Sequence, residues 1–283
     1  MENAKKHKER IRPGTITQEI ILVIATVIVM IPIFYFLIGA FKSRMDIIKY
    51  PFMITPKMFT LENFPYVIKN MKYLRGLLNT GIITAGALAL VVFAGSLAGF
   101  AVARLRNRLF DMFYGLLVAL MVVPFIGCVV PLVVMSVRMK LYNNLLGCIL
   151  IQAGWNVSFA IFLYVGFMKG IPKELEEAAY LDGCNTFQVY WKIFLPMLKP
   201  VTATCLIRSG VFIWNDYLVS SSLLNSNKTP TLMVGIQQFF GSRATEYGYA
   251  FAGIVLASLP MVILFLCMQK NFISGLAAGA VKS

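Results

Sequence analysis

Five stretches of the chain carry no charged residue: Ile20 to Phe41, Gly76 to Ala103, Met112 to Val137, Leu141 to Met168, and Tyr247 to Gln269. Each is longer than the ~20 apolar residues that a helix needs to cross the hydrocarbon layer of a bilayer. A sixth apolar stretch, Pro200 to Leu224, is interrupted by Arg208 and Asp216. None alternates over the ~10-residue segments of a membrane barrel strand. The pattern predicts an all-α polytopic membrane protein, a single domain over 1–283. Its six transmembrane helices are expected at about 20–41, 78–103, 112–137, 144–168, 200–224 and 247–269. The first stretch exceeds the roughly 7–15 residues of a signal-peptide core and no small-residue cleavage site follows it, so it reads as a retained span.

Small residues let helices approach closely in lipid. Gly95 and Gly99 share one face of the second stretch, and Gly147 and Gly154 recur in the fourth. Pro124 and Pro131 in the third free backbone carbonyls and predict a bent helix. Two connectors are long. Residues 42–75 contain "YPFMITP" and "TLENFPYVI"; residues 225–246 contain "NSNKTP" and "LMVGIQQFF". Short interfacial helices and solvated connections both fit them. Basic residues are densest in "KKHKERIR" (Lys5 to Arg12) and "RLRNR" (Arg104 to Arg108), which an even number of spans separates. Such residues concentrate on the cytoplasmic side. Both termini and the polar insert at 170–199 are therefore expected in the cytoplasm, and the two long connectors outside.

Composition supports the membrane reading. The 283 residues are 59% hydrophobic and 13% charged, against about a quarter charged in a soluble domain. The net charge of +14 flanks the apolar stretches, as expected beside lipid headgroups, and no basic soluble patch points to nucleic acid. Five cysteines occur without metal spacing or a disulfide framework. His7 is the single histidine, so neither histidine catalysis nor a His-ligated metal is expected. No G-x-x-x-x-G-K-[ST] is present, so the chain has no P-loop with which to hold ATP phosphates.

The insert raises the functional question. In "GIPKELEEAAYLDG", Pro172 suits a first helical position, and Glu174, Glu176 and Glu177 suit the positive helix start. Gly183 stands where a left-handed residue closes a helix. A short helix over 172–182 is predicted, with Leu175, Ala178, Ala179 and Asp182 on one narrow face. Asn185 or Thr186 can cap a second helix, whose apolar stripe is Phe187, Tyr190 and Phe194 and which Pro196 ends. The pair is shaped either to be gripped by another protein or to rest on lipid. Its four acidic residues would be repelled by anionic inner-leaflet lipid.

"EAAYLDGCNTFQVYWKIFLP" resembles the EAA loop of permease subunits in ATP-binding-cassette importers. The positions that carry it are Glu177, Ala178, Ala179, Asp182, Gly183, Phe187, Ile193, Leu195 and Pro196. "LNT" (Leu78 to Thr80), "WNDYL" (Trp214 to Leu218) and "GLAAGAVKS" (Gly275 to Ser283) resemble the carbohydrate-uptake, maltose-type subfamily, in particular its second six-span permease. Ser283 departs from the glycine that usually ends that tail. The resemblance implies a type I importer permease fold. It also implies a coupling role for Glu177, Ala178, Ala179, Asp182, Gly183, Phe187, Leu195 and Pro196 against an ATPase. It further implies a tail over 271–283 that touches the ATPases, through Gly275, Gly279 and Lys282. The implied partners are a second homologous permease, two ATPase subunits that bind ATP and Mg, and an external solute-binding protein. No cofactor, metal or catalytic residue is expected in the chain itself, and the expected place is the bacterial inner membrane.

Arg208 is a departure from that subfamily. With Trp214, Asn215 and Asp216 it marks either the solute path or a contact with a partner helix; snorkelling to the surface is a third possibility. An intramembrane enzyme would need convergent acid, base or nucleophile groups, and only Arg208 and Asp216 are ionisable inside the stretches. A channel would need pore-lining rings. A permease for a solute other than a sugar remains the alternative.

Overall fold

The computed structural model describes residues 13–105, 107–225, 227–241 and 246–280. Among the described residues every regular element is helical. In chain order they are α1 (Pro13–Gly39), α2 (Arg44–Lys49), α3 (Asn63–Asn70), α4 (Tyr73–Arg104), α5 (Arg108–Leu120), α6 (Phe125–Arg138) and α7 (Leu145–Lys169). The insert follows as α8 (Glu174–Leu181), α9 (Thr186–Val189), a π-helical turn over Tyr190–Phe194, and α10 (Leu195–Met197). Last come α11 (Lys199–Trp214), α12 (Leu218–Leu223), α13 (Leu232–Gln237) and α14 (Tyr247–Ala280).

Four described helices are long and apolar enough to cross a membrane: Gln18–Gly39 within α1, then α4, α7, and Tyr247–Cys267 within α14. The expected third span is broken. α5 and α6 meet at 109°, because Pro124 lacks an N–H and stands in extended backbone (φ −66°, ψ 122°) immediately before α6. Pro131 is carried inside α6. The expected fifth span is divided as well. α11 stops at Trp214, and the Asp216 carboxylate accepts the N–H groups of Val219 (3.1 Å) and Ser220 (2.9 Å) to start α12. α11 alone covers about 24 Å at 1.5 Å per residue, short of a ~30 Å hydrocarbon layer.

α4 and α7 form the centre of the bundle. A methyl at Gly99 would lie 2.6 Å from Tyr164 Cβ, and one at Gly95 would lie 2.8 Å from Ala160 Cβ. Both glycines are therefore required by the closeness of the helices, as the sequence spacing predicts. Gly147 packs against the Leu141 carbonyl, whereas Gly154 meets nothing. Tyr164 is fully buried, and its hydroxyl bonds the Thr202 hydroxyl at 2.9 Å, tying α11 to this pair.

Two hydrophobic clusters result. One joins α4, α7 and α11 to the insert through Phe100, Tyr190 and Phe194. The other gathers Val67, Trp214, Ile236 and Phe251 at the opposite end, under α2, α3 and α13. The two long connectors thus do hold short helices. Lys42 is buried there, its ammonium donating to the Tyr50 and Pro51 carbonyls. α14 continues through Ala280, past the expected end at 269, with no proline after Pro260 to stop it. Gly275 and Gly279 therefore lie on helix rather than on a loose tail, and Lys282 lies outside the described residues.

Candidate functional site

α8 begins with Glu174, Glu176 and Glu177 in its first turn, where the helix dipole favours negative charge. It starts at Glu174, two residues later than Pro172 suggests. Its end is closed by two bonds: the Gly183 N–H donates to the Tyr180 carbonyl and the Cys184 N–H to the Ala179 carbonyl, both at 3.0 Å. This pairing requires a left-handed residue between them, and Gly183 has φ +81°. Asn185 then caps α9. Its side chain accepts the Gln188 N–H at 2.9 Å, and the Gln188 side chain accepts the Asn185 N–H at 2.9 Å. A reciprocal box of this kind satisfies two N–H groups that the start of a helix otherwise leaves unpaired.

The turn has an outer and an inner side. Glu177, Ala178, Asp182 and Gly183 are exposed. Leu181 is 88% exposed and Phe187 67%, so two large apolar side chains stand at the tip. Ala179 was expected on the outer face but is buried in the cluster with Tyr190 and Phe194. The expected stripe of the second helix also splits. Its inward face starts at fully buried Val189, and Phe187 lies two residues, about 200°, away from it. Pro196 does not end the helix: it takes a first-turn position in α10 and stays exposed, with Leu195 half-buried beside it.

Beneath α8 lies Arg104, the last residue of α4. Its guanidinium Nη2 donates to the carbonyls of Met168 (2.6 Å) in the last turn of α7 and Ile171 (2.7 Å) just beyond it. Its Nε lies 3.7 Å from Glu176 Oε2 on α8, with the two side chains 3% and 14% exposed. The guanidinium carbon also sits 4.9 Å from the centre of the Phe194 ring. One cation on α4 thus meets α7, α8 and the π-helical turn.

The second cluster lies midway along α7 and α11. Arg208 Nη1 donates to Asn156 Oδ1 at 2.9 Å, and its guanidinium lies 4.2 Å from the Phe159 ring and 5.4 Å from the Phe212 ring. Asn156 is fully buried while Arg208 is exposed from the chain. The other residues flagged with it have local roles. Trp214 is buried and its indole N–H donates to the Ala257 carbonyl at 3.1 Å. Asn215 closes α11 by donating to the Val211 carbonyl at 3.0 Å. Asp216 caps α12 and also accepts the Ser220 hydroxyl at 2.8 Å.

Residues 91–277 match the family described as binding-protein-dependent transport system inner membrane component. The chain belongs to this family. The insert and α11 both fall within the matched segment. The melibiose/raffinose/stachyose import permease MelC of Bacillus subtilis (strain 168) is 36% identical over 272 residues, covering 95% of this chain and 98% of that one. The multiple sugar-binding transport system permease MsmG of Streptococcus mutans is 31% identical over 268 residues, covering 93% and 95%. Among solved structures, a bacterial ABC transporter involved in the import of the acidic polysaccharide alginate superposes with a TM-score of 0.74 at 19% identity. That match covers 94% of this chain and 99% of its counterpart. The fold is that of a type I ABC importer permease, a multi-pass membrane protein.

In this permease, the residues singled out from sequence separate into two places. The residues to which the resemblance assigns coupling gather at the insert, and Arg208 stands apart on α11, facing Asn156 of α7. Arg104 escaped the sequence reading, which counted it only as part of a basic connector. One signal separated it from Arg106 and Arg108: it directly continues the uncharged stretch ending at Ala103. A cation continuous with a buried helix must find acceptors.

Proposed function

We propose that this permease carries a sugar or oligosaccharide inward by alternating access, driven by ATPase subunits that grip α8 and α9. The observation that carries this is the insert itself: an acid-led helix turned sharply at Gly183, with Leu181 and Phe187 exposed at its tip. Large apolar side chains on a polar turn mark a protein contact. The outer residues Glu177, Ala178, Asp182, Gly183, Phe187 and Pro196 make the contact, and Ala179 and Leu195 support it from inside. The sugar class rests on the names of the relatives. The assembly has a second homologous permease, two ATPases holding ATP and Mg, and an external solute-binding protein, and it does no covalent chemistry in this chain. The chain makes six passes in a bacterial inner membrane, α5 with α6 forming the third and α11 with α12 the fifth. Both ends are cytoplasmic, and the end of α14 with the last residues touches the ATPases.

Reconstitution in proteoliposomes tests this. With the companion permease, ATPase and binding protein present, ATP-dependent uptake of raffinose or maltotriose is expected. ATP-dependent uptake of an amino acid but of neither sugar would move the protein to another solute class, and uptake without ATP would remove the ATPase. In cells lacking the native cysteines, an impermeant thiol reagent is expected to label a cysteine at 228 and not at 177; the reverse pattern inverts the topology. Ending the chain at Ser274 is expected to leave insertion intact and to change ATP hydrolysis. Unchanged hydrolysis and uptake would make the tail contact dispensable.

A further inference from the structure

A force applied to α8 must reach the membrane helices through some physical link. The covalent link is the short segment 170–173, which lies outside both α7 and α8. The packed link on α8 is one small side chain, Ala179. Neither alone moves three helices together. Arg104 is placed to do so. It belongs to α4, bonds the Met168 carbonyl of α7 and the Ile171 carbonyl of the connecting segment, faces Glu176 on α8 and lies over Phe194 in the segment that leads into α11. Its charge suits the site, because the carbonyl ends of α4 and α7 converge there and favour a cation. Its planar fork suits it too, since one nitrogen reaches two carbonyls while another points elsewhere.

One donor is unfinished. Arg104 Nε is buried and makes no hydrogen bond, and the Glu176 carboxylate stands just beyond bonding distance at 3.7 Å. Glu176 is itself held by the Tyr180 hydroxyl, which donates to its other oxygen at 3.3 Å. A small displacement of α8 toward the bundle completes a charge-assisted bond.

Resting on the coupling reading above, we infer that Arg104 is the clamp that converts displacement of α8 into joint movement of α4, α7 and α11, its Nε–Glu176 bond closing as the ATPase presses on α8. It is a positioning residue: it touches neither nucleotide nor solute. Three properties follow. The clamp needs the fork geometry of arginine and not only its charge. Glu176 acts through Arg104. Removing either uncouples the importer without detaching the ATPase.

The experiment uses the reconstituted importer and reads sugar moved per ATP hydrolysed, per complex carrying both ATPases. The sugar is raffinose or maltotriose, whichever the wild-type importer takes up. Arg104→Leu is expected to lower that ratio about tenfold while the ATPases still co-purify, Arg104→Lys to recover part of it, and Glu176→Gln to lower it about threefold. Glu176→Gln is expected to add nothing in the Arg104→Leu background. A residue with a merely structural role would lower the amount of assembled complex and leave the ratio per complex unchanged, which would overturn the inference. If Arg104→Leu does not insert, Glu176→Gln decides: an unchanged ratio overturns the clamp and a lowered one supports it. Failure of Leu181→Cys to cross-link to the ATPase in the wild-type background would sink the coupling reading and the clamp together. A successful cross-link with a wild-type ratio in Arg104→Leu would sink the clamp alone.

Discussion

Gly183→Val is expected to abolish uptake while the membrane helices still insert. The reason is backbone conformation, not space. A Cβ at Gly183 would meet no atom within 4 Å, but the residue sits at φ +81°. A β-branched side chain strongly disfavours that region, at a cost on the order of 1–3 kcal/mol. The turn relaxes toward negative φ instead, and the two bonds that close α8, from Gly183 to Tyr180 and from Cys184 to Ala179, are lost. Leu181 and Phe187 then no longer present themselves together. Asparagine tolerates the left-handed region far better than other side-chain-bearing residues, so Gly183→Asn is expected to keep most of the uptake. Uptake with radiolabelled sugar and co-purification of the ATPase measure both variants. Normal uptake and recruitment in Gly183→Val would dismiss the coupling role of the turn. Equal failure of Val and Asn would show that bulk, not conformation, matters there.

Arg208→Leu is expected to cut uptake about tenfold, the scale of losing a contact worth ~1.4 kcal/mol. Arg208 lies nine residues beyond Lys199, at roughly 13 Å along α11. A cation at such a depth faces protein or a polar cavity rather than lipid. In this chain it has one hydrogen bond and two aromatic neighbours and is otherwise exposed. Two readings of its outer surroundings then separate experimentally. If the companion permease fails to co-purify with Arg208→Leu, the residue contacts a partner helix. If the complex assembles and the KM for sugar rises, the residue lines the solute path. Lysine keeps the charge over the Phe159 and Phe212 rings but loses the planar fork, so Arg208→Lys is expected to be milder than leucine. Unchanged uptake and assembly in the leucine variant would mean that the side chain reaches the aqueous surface instead.

The long helices were legible because twenty or more uncharged residues leave few alternatives, and the close-packed face of α4 was legible from two glycines four apart, although not that α7 fills it. The left-handed turn at Gly183 was legible because it rests on one residue type with a local reason; the cap was narrowed to Asn185 or Thr186, and the reciprocal bonds with Gln188 decide for Asn185. What periodicity missed is tertiary. Ala179 sits within the same arc as Leu175, Ala178 and Asp182, and only the cluster beneath it decides which of them turns inward. The break at Asn215–Tyr217 is likewise invisible to hydropathy, because Asp216 looks like a stray charge until its oxygens are seen to cap α12. Arg104 was hidden among neighbouring arginines, since its acceptors come from residues more than sixty positions away.

The two-sidedness of α8 and α9 has a genetic corollary. Ala179 answers only to this chain's own interior, whereas Leu181 and Phe187 answer to whatever lies outside it. Mutations on the two sides therefore belong to different complementation classes. Damage at Ala179 is repairable only by second-site changes within this gene, among the side chains it packs against. If the tip docks on an ATPase as proposed, damage there is repairable from another gene, by reshaping the surface that receives it. Along this short segment, neighbouring codons evolve under the constraints of different proteins.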